Sequence, residues 1–478
     1  MDEPCMLGLD VGTTTCRAIV VAESGRTVAS ATLEVASRFP EPVAAEIAPE
    51  DWWRCVIAVT RTALDRGRVD PGRIAGIGLS GLMHAPVLLD DAGNVIADAP
   101  LWMDQRCRSQ SQRLMELAKE VGAEWADVRT SVTACKLRWW AEMAPEVLNG
   151  ARTVLLPKDF IRFRLTGVVA TDYSDALGTG LMDPSCGEWH EGLARNAGVS
   201  PTILPPIRSS HEQGGRVTRA AAAATGLKAG TPVAIGGSDA LCTRVGIGPL
   251  DAGSVLAYLG TAAWIAVSDG VDGSGYPIAH DRGATTATGA ALRWMRDLVC
   301  AWADSGDSWT YGDLVALAEA VTPGSDGLVF LPHLMGERGP VHDPSARGAW
   351  IGLTLHHRTD HLVRSVLEGT AFQLRRLLER NLPDHEGATA HCCGGVCRSP
   401  GWMQIIADVT GLTLRWPENV EAAALGAAVL GGKACGLIGA NAAVEWNRAG
   451  GIVGPRSGLR SAYDAAYEAY CSLDNRLV

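Results

Sequence analysis

Apolar residues along this chain follow two alternating rhythms. Short β-branched runs bounded by turn formers, Met6–Leu9, Ala18–Ala22 and Thr27–Glu34, predict strands. From Pro49 or Glu50 to Leu64 the apolar positions recur near a helical period, which predicts a helix. Ile74–Ser80 reads as a buried strand entering the loop Gly81-Leu82-Met83-His84. Val87–Asp90 and Val95–Ala97, flanking Asp91-Ala92-Gly93-Asn94, predict a β-hairpin. Helix is expected over Arg108–Glu146, a strand at Val154–Leu156, and a new helix opening at Pro157-Lys158-Asp159. Pro201–Gly215 is rich in proline and glycine and reads as a loop, and Val233–Asp239 is a strand ending in glycines and an acid. The second half repeats the scheme, with strands at Val329–Leu331 and Thr389–Cys393, a long helix over Asp360–Leu382, and helices from about Trp402 and Ala422. Strand and helix alternating in this way predict an α/β fold.

One pattern occurs twice. Leu7–Val21 and Val255–Val267 each place β-branched, apolar runs on both sides of a glycine-threonine turn, Gly12-Thr13-Thr14 and Gly260-Thr261. Glycine lets backbone amides approach an anion, and threonine adds a hydroxyl donor, so two such turns suit a polyphosphate. Asp10 precedes the first turn and has no acidic counterpart in the second, which makes it the candidate magnesium ligand. Asp239, Met83-His84 and Gly394-Gly395 all fall at expected strand ends, where ligands of open α/β sheets bind.

The chain has 478 residues, too many for one core, so two domains of about 240 residues each are expected, with a boundary near Gly246–Gly253. Net charge is −11, which excludes a general nucleic-acid binder. The acidic start Met1-Asp2-Glu3-Pro4 reads as neither signal nor transit peptide. Glu421 and Lys433 flank the most membrane-like stretch, Ala422–Val429, too closely for a span. The 13 cysteines lack paired spacing and read as buried reduced thiols of a cytoplasmic protein; Cys392-Cys393 and Cys397 come nearest to a metal motif.

Further motifs carry a resemblance over nearly the whole chain. They are Gly8-Leu9-Asp10-Val11-Gly12-Thr13-Thr14, Ser80-Gly81-Leu82-Met83-His84, Leu101-Trp102-Met103-Asp104-Gln105-Arg106 and Leu155-Leu156-Pro157-Lys158-Asp159. Thr171–Ala176, Gly236-Gly237-Ser238-Asp239, Phe330-Leu331-Pro332, Gly336-Glu337-Arg338 and Leu367–Phe372 follow, and then Gly394–Ser399 and Ala423–Ala428. In this order they resemble the FGGY family of carbohydrate kinases. The resemblance implies two ribonuclease-H-like domains of the actin and hexokinase type, 1–246 and 247–478, flanking a deep catalytic cleft. Sugar would bind the first domain and ATP mainly the second.

The resemblance implies ATP-dependent phosphorylation of a small-molecule sugar with Mg²⁺, most simply a ketopentose such as D-xylulose. Asp239 would be the general base, a role weighed against helix capping. Asp10 would hold magnesium next to the phosphates. Gly12, Thr13, Thr14, Arg17, Gly260 and Thr261 would grip phosphate, and Gly394, Gly395 and Ser399 would form the adenosine loop. Met83, His84, Trp102 and Asp104 would contact the sugar, with core packing, a structural histidine and an exposed loop acid as the rival roles. Glu337-Arg338 is expected as a structural ion pair, and Lys158 and Asp159 as helix caps. Relative to family members acting on D-xylulose, Leu82 replaces a glutamine, Met103 an asparagine, Ala262-Ala263 a Ser-Gly pair, Ser238 a glycine, and Gly339-Pro340-Val341 a Thr-Pro-His. Leu82 and Met103 are expected to line the sugar pocket, so another ketose, a polyol or an aldonate stays open as substrate, as does a silent sugar sensor. No nucleic-acid or membrane partner is expected, and a homodimer is left open.

Overall fold

The computed structural model describes residues 3–248, 250–271, 277–302, 308–337, 339, 343, 345–439, 446 and 448–477. Arg338, Pro340 and Val341 lie outside them. The chain divides into two compact units, Met1–Gly248 with Ala422–Trp446, and Pro249–Glu421 with Asn447–Val478. The first break, after Gly248, falls within Gly246–Gly253, and the chain then returns to the first unit near its end.

The first unit is built on β1 (Cys5–Val11), β2 (Thr15–Ala22), β3 (Thr27–Glu34), β4 (Ile74–Gly81), β5 (Gln213–Arg216), β6 (Pro232–Ala234) and β7 (Gly237–Ser238). The sheet runs β5-β6-β4-β1-β2-β3, with β7 also paired to β4. β1 to β3 form an antiparallel meander, while β4 lies parallel to β1 and β6 parallel to β4. Strand alternation divides the residues of β1 between two faces. Leu7, Leu9 and Val11 join the core with Trp52, Val56 and Val59 of α1 (Pro49–Gly67). Gly8 faces the other way, toward the helix Ala422–Ala434, which lies directly on the backbone of β1 and β4. A Cβ on Gly78 would fall 1.6 Å from the Ala427 carbonyl oxygen, so this face admits no side chain there. The small, apolar composition of Ala422–Val429 therefore fits a tightly packed core helix, and no described helix is long and apolar enough to cross a membrane. α2 (Pro157–Thr166) packs beside the C-terminal end of β4, and α3 (Asp239–Ile247) follows β7 directly.

The second unit repeats the topology with β8 (Val255–Leu259), β9 (Ala263–Val271), β10 (Pro277–Ala284), β11 (Thr389–Cys393), β12 (Thr413–Pro417) and β13 (Ala449–Val453). Their order is β10-β9-β8-β11-β12-β13, with β11 parallel to β8 and β12 parallel to β11. Each sheet is thus a three-stranded meander extended from its first strand by parallel strands and closed by an antiparallel edge. The duplicated hairpins are β1–β2 and β8–β9. Helices α4 (Gly289–Trp302), α5 (Thr359–Asn381) and α6 (Pro400–Thr410) build the second core with Tyr463, Tyr467 and Tyr470 of the C-terminal helix. The first-unit helix Ala422–Ala434 is α7.

The expected hairpin after Val87 forms: Leu89 bridges Val95, the Ile96 amide donates to the Leu88 carbonyl and the Asp90 amide to the Asn94 carbonyl, while the opposite edge of Val87–Leu89 pairs with the strand Thr153–Leu155. Helix over 108–146 is broken: Arg108–Glu120 ends where the Gly122 and Ala123 amides donate back to the Lys119 and Ala118 carbonyls, a Schellman closure, and Thr133–Met143 and Pro145–Gly150 follow. The Pro201–Gly215 passage contains short strands at Ile207–Arg208 and Gln213–Arg216.

Candidate active site

Three strand ends of the first sheet bring the acidic residues together. Asp10 near the end of β1 stands opposite Ser80 of β4, and Ser80 and Gly81 stand opposite Gly237 and Ser238 of β7. Asp239 begins α3 immediately after. The helix cap is Ser238, whose side chain accepts from the Leu241 amide, so Asp239 is released from the capping role and is part-exposed. Its Oδ1 accepts from the Ala240 amide at 2.8 Å. Asp10 is 5% exposed; the Ser80 hydroxyl donates to its Oδ1 at 2.8 Å and Arg17 to its Oδ2 at 3.3 Å. The ion pair is long, and both oxygens remain hard donors of the kind a magnesium ion takes.

The Gly12-Thr13-Thr14 turn is tightly tied down. The Gly12 amide is spent inside it on the Thr15 carbonyl at 2.9 Å, so it cannot be one of the expected phosphate donors. The Thr13 and Thr14 amides meet no acceptor among the described residues. Trp102 donates its indole N–H to the Thr13 hydroxyl at 3.1 Å and packs against the core. It braces the turn from the side.

His84 has a left-handed backbone, φ 75°, unusual for a residue with a Cβ. Its Nδ1 lies 2.7 Å from the Gly178 carbonyl, so Nδ1 carries the proton and Nε2 is the acceptor in the neutral ring. The His84 carbonyl in turn accepts from Lys136 at 2.8 Å. Lys136 is fully buried, and burial pulls its ammonium down to about 8. This clamp was not legible in the sequence, where Lys136 sits in a plain amphipathic stretch. Met83 lies against Gly178, where a Cβ would come within 2.4 Å of the Met83 methyl.

Other expectations change. Asp104 is 1% exposed; its Oδ2 accepts from the Ala45 amide at 3.0 Å and from Arg106 at 2.7 Å, while its Oδ1 takes the Arg106 amide. It anchors its loop and is not an exposed acid. Leu82 is 2% exposed within the first core and Met103 packs against that core, so Leu82 is no pocket wall. Lys158 and Asp159 cap nothing: the N-cap position of α2 is Leu156, and no side chain caps the helix start. Lys158 is instead a fully buried hub, 2.7 Å from Asp159 and 2.9 Å from both Asp172 and Asp175. Burial drives the Asp175 carboxyl well up, beyond what Lys158 offsets, and so makes the cluster less negative. Asp172 accepts from the Ser174 hydroxyl, which accepts from the Ser238 amide at 2.9 Å. The ionic hub therefore holds the strand end from which Asp239 projects.

In the second unit Gly260, Thr261, Gly394, Gly395 and Ser399 gather at the ends of β8 and β11. The Thr261 carbonyl accepts from the Thr288 and Ala290 amides, and the Gly260 carbonyl from Gly289, so the turn seats on the start of α4. The Gly260 amide is spent on Ala262. Gly394 has φ 97°, and a Cβ there would lie 2.5 Å from the Leu259 carbonyl; only glycine fits. A Cβ on Gly395 would meet nothing within 4 Å, which leaves open space over that backbone. Ser399 is half-buried just before α6. Glu337, expected to pair with Arg338, accepts from His333 at 2.9 Å and from the Gly339 amide at 2.9 Å, and also pairs with Gln373. Cys392, Cys393 and Cys397 are buried thiols, and burial raises Cys397 to about 12.

Comparison with known proteins places this arrangement. Residues 5–246 match the N-terminal domain and residues 267–435 the C-terminal domain of the FGGY family of carbohydrate kinases. The chain is 32% identical to the xylulose kinase of Bacillus subtilis over 89% of its own length and 87% of that protein's. It is 28% identical to the gluconokinase of the same organism over 91% of its own length and 88% of that protein's. The crystal structure of xylulose kinase from Rhodospirillum rubrum superposes with a TM-score of 0.77 at 31% identity, covering 99% of both chains. The chain belongs to the FGGY family of carbohydrate kinases and is a sugar kinase of the two-domain actin and hexokinase type.

Proposed function

We propose that the chain transfers the γ-phosphoryl group of ATP to a hydroxyl of D-xylulose, giving D-xylulose 5-phosphate and ADP. The observation that carries this reading is the convergence of Asp10, Ser80 and Asp239 on adjacent strand ends, with Asp239 freed from capping by Ser238. Asp239 accepts the proton of the sugar hydroxyl as its oxygen bonds to the γ-phosphorus and the bond to the ADP oxygen breaks. Asp10 suits a water-mediated magnesium ligand. Bound there, magnesium would offset charge on the phosphates. Arg17 and the Thr13 and Thr14 amides face the same charge. His84 and Met83 orient the sugar, with Trp102 bracing the turn. The open backbone at Gly395 accepts the flat adenine, beside Gly394 and Ser399, and the Gly260-Thr261 turn meets phosphate.

The similarity to a gluconokinase favours a second reading, phosphorylation of an aldonate, because sugar identity is not fixed by the shared catalytic residues. A coupled ADP-release screen over ketoses, polyols and aldonic acids tests both. D-xylulose is expected to give the highest kcat/KM. A clear preference for gluconate would favour the second reading, and sugar-dependent ADP release from none would overturn the kinase assignment.

A further inference from the structure

In the second unit, away from the residues of the candidate active site, three side chains converge where the loop before α5 meets the turn Ser325–Gly327. His356, His361 and Asp326 place one ligand atom each within 4.8 Å of one another. Asp326 Oδ2 lies 3.4 Å from His356 Nε2 and 3.3 Å from His361 Nε2. Ligand atoms around a tetrahedral zinc ion, each about 2.0–2.1 Å from it, are separated by about 3.3 Å, so both edges match that polyhedron.

His361 Nδ1 lies 2.7 Å from Asp360 Oδ1 and 3.3 Å from the Arg358 amide, contacts that hold the ring with Nε2 turned toward the Asp326 carboxylate. Nε2 of the exposed His356 converges on the same oxygen, so two imidazole nitrogens and one carboxylate oxygen present themselves to a single cation. Asp326 is fixed from its far side, because the Thr322 hydroxyl donates to its other oxygen at 2.6 Å. Asp360 behind His361 is the carboxylate partner that orients metal-bound imidazoles. His357 is not a ligand, because its Nδ1 accepts from the Thr354 amide at 2.9 Å and its Nε2 faces the Asp326 carbonyl.

We infer that Asp326, His356 and His361 form a site for a zinc-class divalent cation, with the fourth position open to water, pinning the start of α5 to the 322–327 turn. The full chain, stripped with a chelator and dialysed against Zn²⁺, is expected to take up one ion that His356→Ala and Asp326→Asn each weaken at least tenfold. Cys186→Ser, which removes an exposed thiol, should leave uptake unchanged. Tetrahedral Co²⁺ absorption on substitution, absent in His356→Ala, is the second readout. Both substituted positions are exposed, so circular dichroism should show unchanged folding. Equal Zn²⁺ affinity in wild type and both variants, loss in Cys186→Ser, or no uptake by wild type would overturn the site.

Discussion

The two glycine-threonine hairpins share a topology and differ in what they present. In the first, Asp10 stands across from Arg17 and makes a 3.3 Å ion pair. In the second, the positions before the turn and across from it are Tyr258 and Trp264, whose rings stack at 5.8 Å and 15°. The first turn offers charge; the second offers backbone, seated on a helix start and pressed by Gly394. On the proposed reading, the duplicated fold divides phosphoryl transfer, with metal and proton chemistry on one copy and nucleotide cradling on the other, through a few changed residues at one turn.

The largest effect should come from the base next to the charged turn. Asp239→Asn should cut turnover by roughly two to four powers of ten with little change in ATP or sugar affinity, read by steady-state kinetics and calorimetric binding. Wild-type turnover would remove it from that role. Asp10→Ala should lower kcat/KM for ATP by about a hundredfold, partly restored by excess magnesium. Gly394→Ala forces a Cβ against the Leu259 carbonyl and should raise KM for ATP by on the order of tenfold, leaving KM for sugar near wild type.

A smaller effect separates the buried charges of the second unit from those of the first. Burial alone would lower the pKa of His333, but hydrogen bonds to Asp474 at 2.6 Å and Glu337 at 2.9 Å raise it to about 9. Its contribution is full below the unfolded value near 6.5 and is lost as pH rises through 9. Chemical unfolding of wild type and His333→Gln should differ by up to about 3 kcal/mol more at pH 6 than at pH 10. A pH-independent difference would show that the imidazole is uncharged in the fold.

What the sequence made legible was local. The strand-end positions of Asp10 and Asp239 and the Gly12-Thr13 turn were readable because strand, turn and acid are contiguous, and the duplicated hairpins stand out by self-similarity. The Lys158 hub was not, since Asp172 and Asp175 join it only through tertiary packing. Lys136 became visible as a clamp only once His84 took its left-handed backbone. The hairpin after Val87 was readable from its Asp-Ala-Gly-Asn turn, but the strand Thr153–Leu155 on the opposite edge of Val87–Leu89, more than sixty residues away, was not. Leu82 looked like a pocket residue by motif position, yet its side chain turns into the core; Leu82→Gln would bury an amide and destabilise the first unit by about 1–3 kcal/mol.

The division of labour between the two turns comes down to one magnesium titration, at saturating sugar, of wild type, Asp10→Ala and Gly394→Ala. Half-saturating magnesium should rise about tenfold or more in Asp10→Ala and stay at the wild-type value in Gly394→Ala, whose defect responds to ATP alone. If Asp10→Ala titrates like wild type, or both variants shift together, the two turns do not divide the chemistry in this way.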